Sequence, residues 1–336
     1  MFGMNKKVVR YLVFGVLICL VLFLILHKWS IPTSLNEHRN EPPETLELST
    51  EDKVESQSQI NERLIRPLKG ASFSPVITQF LKGQGKAPPE PRIQMLAASL
   101  VNKRDTLLTF KEQEMVRDCV RTASVDRSRS TPKFFGGKTQ EIRRTHHTYL
   151  NENSLLMEIG GNWGWDAGNF SKLYNPRYII LEPLQEYVNI LEKKFENKTN
   201  VNIYNLGLGA RNETIMVNME GNNACATSKF SGKRGNVPIH IIEAKSFMTG
   251  LGVGTFDVDL LTMNCEGCEF EALENLLSFN IIEKFKNIQW GTHSLLKGMK
   301  DPIGRYCRIT ALLSRTHRPT YQYKFNWESW RRKDIV

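Results

Sequence analysis

The chain has 336 residues, of which 40% are apolar, 24% charged and 10% aromatic, values that exclude a wholly disordered, collagen-like or multi-spanning protein. Against 35 Asp and Glu stand 45 Lys and Arg, a net charge of +10. The excess forms neither an arginine-rich tract nor a basic stripe interleaved with aromatics, so no nucleic-acid partner is expected.

From the N-terminus, YLVFGVLICLVLFLIL runs for sixteen uncharged residues between Arg10 and His27. At about 1.5 Å per residue it covers roughly 24 Å, which suits the thinner bilayers of the early secretory pathway. A cleaved signal peptide is the alternative, but HKWSIPTS offers no clear small-x-small cleavage site. The expectation is therefore an uncleaved anchor over residues 1–30, a single-pass type II membrane protein of the Golgi or endoplasmic reticulum. Lys6, Lys7 and Arg10 outweigh Lys28, which keeps the N-terminus cytosolic and the rest lumenal. The sequons Asn197-Lys-Thr and Asn212-Glu-Thr fit that orientation.

Residues 31–92 are rich in Glu, Ser, Pro and Asn and too poor in apolar side chains to fold alone, a flexible lumenal stem. Residues 93–133 form a helical lead-in: IQMLAASLVNKRDTLLTFKEQEMVRDCVRTA has helical periodicity, and RSRSTPKFFGGK reads as a basic loop. Over 134–336, short apolar runs alternate with amphipathic stretches, the pattern of an α/β fold with a mainly parallel sheet and flanking helices. The expected strands are SLLMEIG, RYIILEP, NVNIYNLGLG, DVDLLTMNCEG, KNIQWGTH and one closing strand, TYQYKFNW, with an added β segment in RNETIMVNM. The expected helices are GWDAGNFSKLY, LQEYVNILEKKFE, CEFEALENLLSF and PIGRYCRITALLSRTH.

Between the first strand and its helix lies Glu158-Ile-Gly160-Gly161-Asn162-Trp163-Gly164. Glycines there either let a ligand approach the backbone or let protein pack against it. The spacing is neither that of a dinucleotide-binding turn nor that of a phosphate loop. Glu182 closes the second strand beside this turn, placed to bind ribose hydroxyls or to serve as a helix N-terminal charge. Asn205 and Leu206 end the third strand at the same edge, where polar groups hold an adenine. Trp163 and Trp165 are read as packing residues.

In that order, MEIGGNWGW, ILEP, NLGLG and DVDLLTMNCEGCEFEALENL resemble the signatures of the FkbM-like methyltransferase family over roughly residues 134–330. The resemblance implies a class I, Rossmann-like fold dependent on S-adenosylmethionine. It places the turn of Glu158, Gly160, Gly161, Asn162 and Gly164 around the methionine moiety and Glu182 on the ribose, and it implies transfer to a hydroxyl. This chain departs from the family where Thr262 and Asn264 stand in place of Lys and Asp. Asparagine cannot accept a proton, so Asn264 is assigned to orienting the acceptor or cofactor. Glu266, retained with Gly267 and Glu269, and His293 are the candidates for taking the acceptor's proton. A neutral, hydrogen-bonded strand-end histidine is the alternative for His293.

Six cysteines include Cys19 in the apolar run, leaving Cys119, Cys225, Cys265, Cys268 and Cys307 beyond it. The C-x-x-C pair lacks a second ligand pair, so no metal site is expected. A disulfide from it to Cys119, Cys225 or Cys307 is preferred over dithiol chemistry. The expected activity is O-methylation in the secretory-pathway lumen, with a glycan hydroxyl as acceptor. The competing reading is a catalytically inactive lumenal binding or scaffold protein.

Overall fold

A computed structural model describes residues 91–136, 139–218, 229–230, 235–296 and 298–335. The expected anchor, all but the last two residues of the expected stem, and Cys225 lie outside the described residues. No helix among the described residues is long and apolar enough to cross a membrane.

The lead-in divides into α1 (Pro91–Leu100) and α2 (Phe110–Phe135) rather than forming one helix. The segment between them is held extended against the turn after a later helix: the Asn102 amide donates to Asn280 Oδ1 at 2.8 Å and the Arg104 amide to the Ser278 carbonyl at 2.9 Å. A capping box starts α2, with Thr109 and Glu112 satisfying each other's backbone amides. The loop expected at RSRSTPKFFGGK is instead helix as far as Phe135, through Pro132. Phe134 holds it there, buried against Tyr323 and Trp327 at ring separations of 5.7 and 6.3 Å. After α2 comes the short α3 (Ile142–Thr145).

Seven strands form the main sheet in the order β3-β2-β1-β7-β8-β10-β9. They are β1 (Leu155–Ile159), β2 (Arg177–Leu181), β3 (Val201–Tyr204), β7 (Leu260–Met263), β8 (Asn287–Gly291), β9 (His317–Tyr323) and β10 (Trp327–Arg332). The first five run parallel, and β10 is antiparallel to both β8 and β9. Strand residues alternate between two buried faces. Leu156, Tyr178 and Ile180 pack on α4 (Trp165–Leu173) and α5 (Gln185–Lys194) through Phe170 and Leu191. Met157, Ile159, Ile179 and Leu181 belong to the larger core with α6 (Ala244–Gly250), α7 (Cys268–Leu277) and α8 (Pro302–Leu313). Burial on both faces explains why these strands read as unbroken apolar runs. The result is a mixed α/β, Rossmann-like fold with a mostly parallel sheet.

Two expected strands are each two. NVNIYNLGLG breaks after Tyr204, and Gly207–Gly209 becomes β4 of a second sheet, ordered β4-β6-β5 with β5 (Glu213–Val217) and β6 (Val237–Glu243). A side chain at Gly207 or Gly209 would strike Ile241, so these glycines let β4 lie against β6. The closing segment is a hairpin, β9 and β10, turned at Phe325 with φ of 63°. A disulfide joins Cys119 on α2 to Cys307 on α8, and a second joins Cys265 to Cys268. The C-x-x-C pair is thus bonded within itself, contrary to the expected longer link.

Candidate functional site

From β1 the chain winds outward through β2 and β3, then returns to the other side of β1 with β7, so the order reverses between β1 and β7. Open α/β sheets form their ligand crevice at the carboxyl ends of the strands flanking such a reversal. An open cleft of about 1200 Å³, measured out to solvent, lies there, and it brings together Glu158, Gly160, Gly161, Asn162, Glu182, Asn264 and Glu266.

Every amide in the turn after β1 is committed inside the protein. Gly160 and Gly161 donate to the Leu181 carbonyl, Asn162 to Glu182 Oε2 at 2.8 Å, Trp163 to Asn162 Oδ1 at 2.7 Å, and Gly164 to the Gly161 carbonyl. Lys194 fastens the outside of the turn by donating to the Gly164 carbonyl at 2.6 Å. The glycines serve packing: a side chain at Gly160, where φ is +93°, would strike the Asn264 carbonyl, and one at Gly161 would strike Ile180 and Leu191. Gly164, at +67°, meets Leu191 and Lys194 and does not face the cleft.

Two buried carboxyls occupy the adjoining strand ends. Burial pushes Glu158 up to about 8, and the charge of Asp166 adds to this, while the Tyr178 hydroxyl donating at 2.6 Å acts in the other direction. Glu182 is also raised by burial, opposed by the Leu184 and Asn162 amides that each donate to one of its oxygens, at 2.9 and 2.8 Å. Those two bonds fix the carboxylate plane and leave each oxygen a further lone pair for a ligand.

At the end of β7 the backbone takes two left-handed residues in succession, Glu266 with φ of 55° and Gly267 with φ of 103°. The Cys265–Cys268 disulfide closes the ring around them. Glu269, completely buried, accepts the Cys265 amide at 2.7 Å and the Gly267 amide at 2.8 Å. The Asn264 carboxamide, half-buried in the cleft wall, makes no hydrogen bond to any described residue. His293 stands behind the wall, with Nδ1 2.9 Å from Glu269 Oε1 and Nε2 3.4 Å from Glu266 Oε1. Burial works against its charge, but the Glu269 charge and the bonds to Glu266 and Glu269 outweigh burial and hold the ring protonated well above its ordinary range. With both ring nitrogens facing carboxylates behind the wall, His293 does not line the cleft.

Sequence reasoning missed the rest of the cleft. Arg143 and Arg144, in α3, pair with Asp166 at 3.2 and 2.5 Å, and Arg143 lies over the Trp327 ring at 5.1 Å. Lys229 bridges Glu213 and Glu271 at the rim. None of these belongs to a motif; only the topology gathers them. Leu184, Ile215, Ile239 and Ile241 supply an apolar wall from the second sheet and the loop beside it. Trp165 is 69% exposed at the cleft, not a packing residue, whereas Trp163 packs edge-on against Tyr187. Asn205 and Leu206 do not line the cleft; the Asn205 amide donates to Gln185 on the outside.

Five acidic side chains and two basic ones line the cleft. No turn amide is left over for a nucleotide phosphate, and the Glu182 oxygens and the Asn264 carboxamide are the polar groups open to a ligand, a set that fits a nucleoside such as that of S-adenosylmethionine.

No family model and no curated protein matches the chain. Among solved structures it is similar to precorrin-6y C5,15-methyltransferase from Geobacter metallireducens, at 10% identity over 55% of this chain and 83% of that one, TM-score 0.30. It is also similar to Aeropyrum pernix fibrillarin with natively bound S-adenosyl-L-methionine, at 9% identity over 54% and 66%, TM-score 0.31. A third is a putative RNA methyltransferase from Pyrococcus horikoshii, at 11% identity over 72% and 98%, TM-score 0.29. At these scores the similarities carry no argument about function, and the fold rests on the strand order and register above.

Proposed function

We propose that this chain is an S-adenosylmethionine-dependent O-methyltransferase of the FkbM-like kind, anchored in an early secretory membrane and acting in the lumen on a glycan hydroxyl. The observation that carries the reading is the convergence of Glu182, Asn264 and Glu266, from β2 and β7, on one acidic cleft at the reversal of strand order. When bound, S-adenosylmethionine supplies an electrophilic methyl group. Glu182 has lone pairs for its ribose hydroxyls. Asn264 has a free donor and a free acceptor with which to orient the acceptor hydroxyl. Much of the acceleration in such a transfer comes from that alignment. Glu266 would take the proton that the acceptor hydroxyl gives up on receiving the methyl group, becoming a neutral carboxyl.

Calorimetry of the full chain with S-adenosylmethionine should show one-site binding, weakened in Glu182→Gln, and absence of binding defeats the proposal. Released glycans from cells with and without the protein should then differ by the mass of one added methylene. The lumenal assignment predicts glycosidase-sensitive sugar at Asn197 and Asn212, both exposed. A second reading, an inactive scaffold, is favoured by Asn264, which cannot take a proton. Cofactor binding with no turnover across a broad panel of glycans would support it.

A further inference from the structure

We propose that His293 is a positioning residue that ties Glu266 to the buried Glu269 and so aims the Glu266 carboxylate into the cleft. The inference rests on the methyltransferase reading above and adds to it the device that orients its proton acceptor. Glu269 is the fixed point. Its side chain is fully buried, and three donors hold it: the amides of Cys265 and Gly267 at 2.7 and 2.8 Å, and His293 Nδ1 at 2.9 Å. With Nδ1 committed, the opposite ring nitrogen is directed at Glu266 Oε1, 3.4 Å away. The two carboxylates are the charged groups facing the ring, and each requires a donor from it, so the imidazole bridges them as a cation.

The rest of the turn serves the same end. Glu266 is a non-glycine residue in left-handed backbone, followed by a second left-handed residue, inside a ring closed by a disulfide. Strain of this kind persists where surrounding structure over-determines it, and it is found where a side chain must be presented to a ligand. A glutamate has three side-chain torsions to restrain, and ordering such a chain is entropically costly. The turn fixes where the Glu266 side chain departs from the backbone, and His293 fixes where its carboxylate ends. A histidine that merely anchored the end of β8 would need neither the second contact nor its charge.

The test has two arms, both on the full chain. In the first, 15N-histidine NMR follows the ring, assigned by its loss in His293→Gln. It should titrate well above the ordinary histidine range, and Glu266→Gln should move that titration downward. A ring titrating in the ordinary range, or one indifferent to Glu266→Gln, overturns the proposal. In the second arm, transfer to a panel of methyl glycosides is measured against pH. His293→Gln should lower kcat about tenfold or more and remove the alkaline limb of the profile, with cofactor affinity near wild type, measured below a melting temperature lowered by loss of the Glu269 counter-charge. Normal cofactor binding in an enzyme whose kcat and pH profile ignore His293→Gln overturns the proposal alone. A wild-type chain that does not bind S-adenosylmethionine overturns the methyltransferase reading, and this proposal with it.

Discussion

Gly160 shows how a single position joins the sheet to the site. Its backbone is left-handed and its missing side chain leaves room for the Asn264 carbonyl, so the turns after β1 and β7 touch through it. An alanine there must both adopt an unfavourable φ and push that carbonyl away. Gly160→Ala should cost about 2 kcal/mol or more in urea denaturation, and it should weaken S-adenosylmethionine binding because Asn264 moves with the carbonyl. A variant with wild-type stability would mean that the two turns are not packed as described. The sequence showed that glycine mattered here but not why. The motif admits ligand approach and protein packing equally, and only the position of Asn264, a hundred residues later, decides between them.

Among elements, the α2–α8 pair is the test of how the lead-in joins the fold. Cys119–Cys307 links residues 188 apart, and Arg315 grips Glu112 with two bonds of 2.7 and 2.8 Å. Closing so long a loop restricts the unfolded chain, so replacing both cysteines with serine should lower stability by about 2–5 kcal/mol, read as a drop in denaturant midpoint. An unchanged midpoint would show that the helix pair holds without the link. Elements with strong periodicity were legible in sequence, among them β1, β2, β7, β8 and the helices α4, α5 and α7. The errors fell where local signals are weak. Phe325 turns a hairpin without glycine because its ring is buried 4.3 Å from that of Tyr306, and no sequence rule marks such a turn. Phe134 carries α2 past a proline through contacts with a hairpin almost two hundred residues away. β6 and α6 were not foreseen at all; Pro238 at the start of β6 hides a strand that pairs on both sides.

For the whole molecule, buried titratable groups set opposing pH dependences. Burial lowers His147 and His317 to about 4 from 6.5, so the stability that their neutral forms contribute is present above pH 6.5 and lost as pH falls through 4. Burial raises Glu158 to about 8, and Glu182 and Glu328 are raised too; their contribution is present below about 4.5 and lost as pH rises through the folded values. Between pH 4.5 and 6.5 the two sets oppose one another. From 6.5 to 8 the raised carboxyls and the raised His293 act in the same direction, so stability should fall by about 2 kcal/mol or more over that interval, and Glu158→Gln should lessen the decline. A denaturant midpoint that rises toward pH 8 would refute this. The closed hydrogen bonding of the turn after β1 has a consequence for selectivity. Adenosine phosphates share the nucleoside half of S-adenosylmethionine and abound in cells, yet the turn offers their charge no spare amide. An anion entering the cleft would depend on Arg143, Lys229 and the Asn264 carboxamide alone, so the turn itself does nothing to favour ATP over a sulfonium.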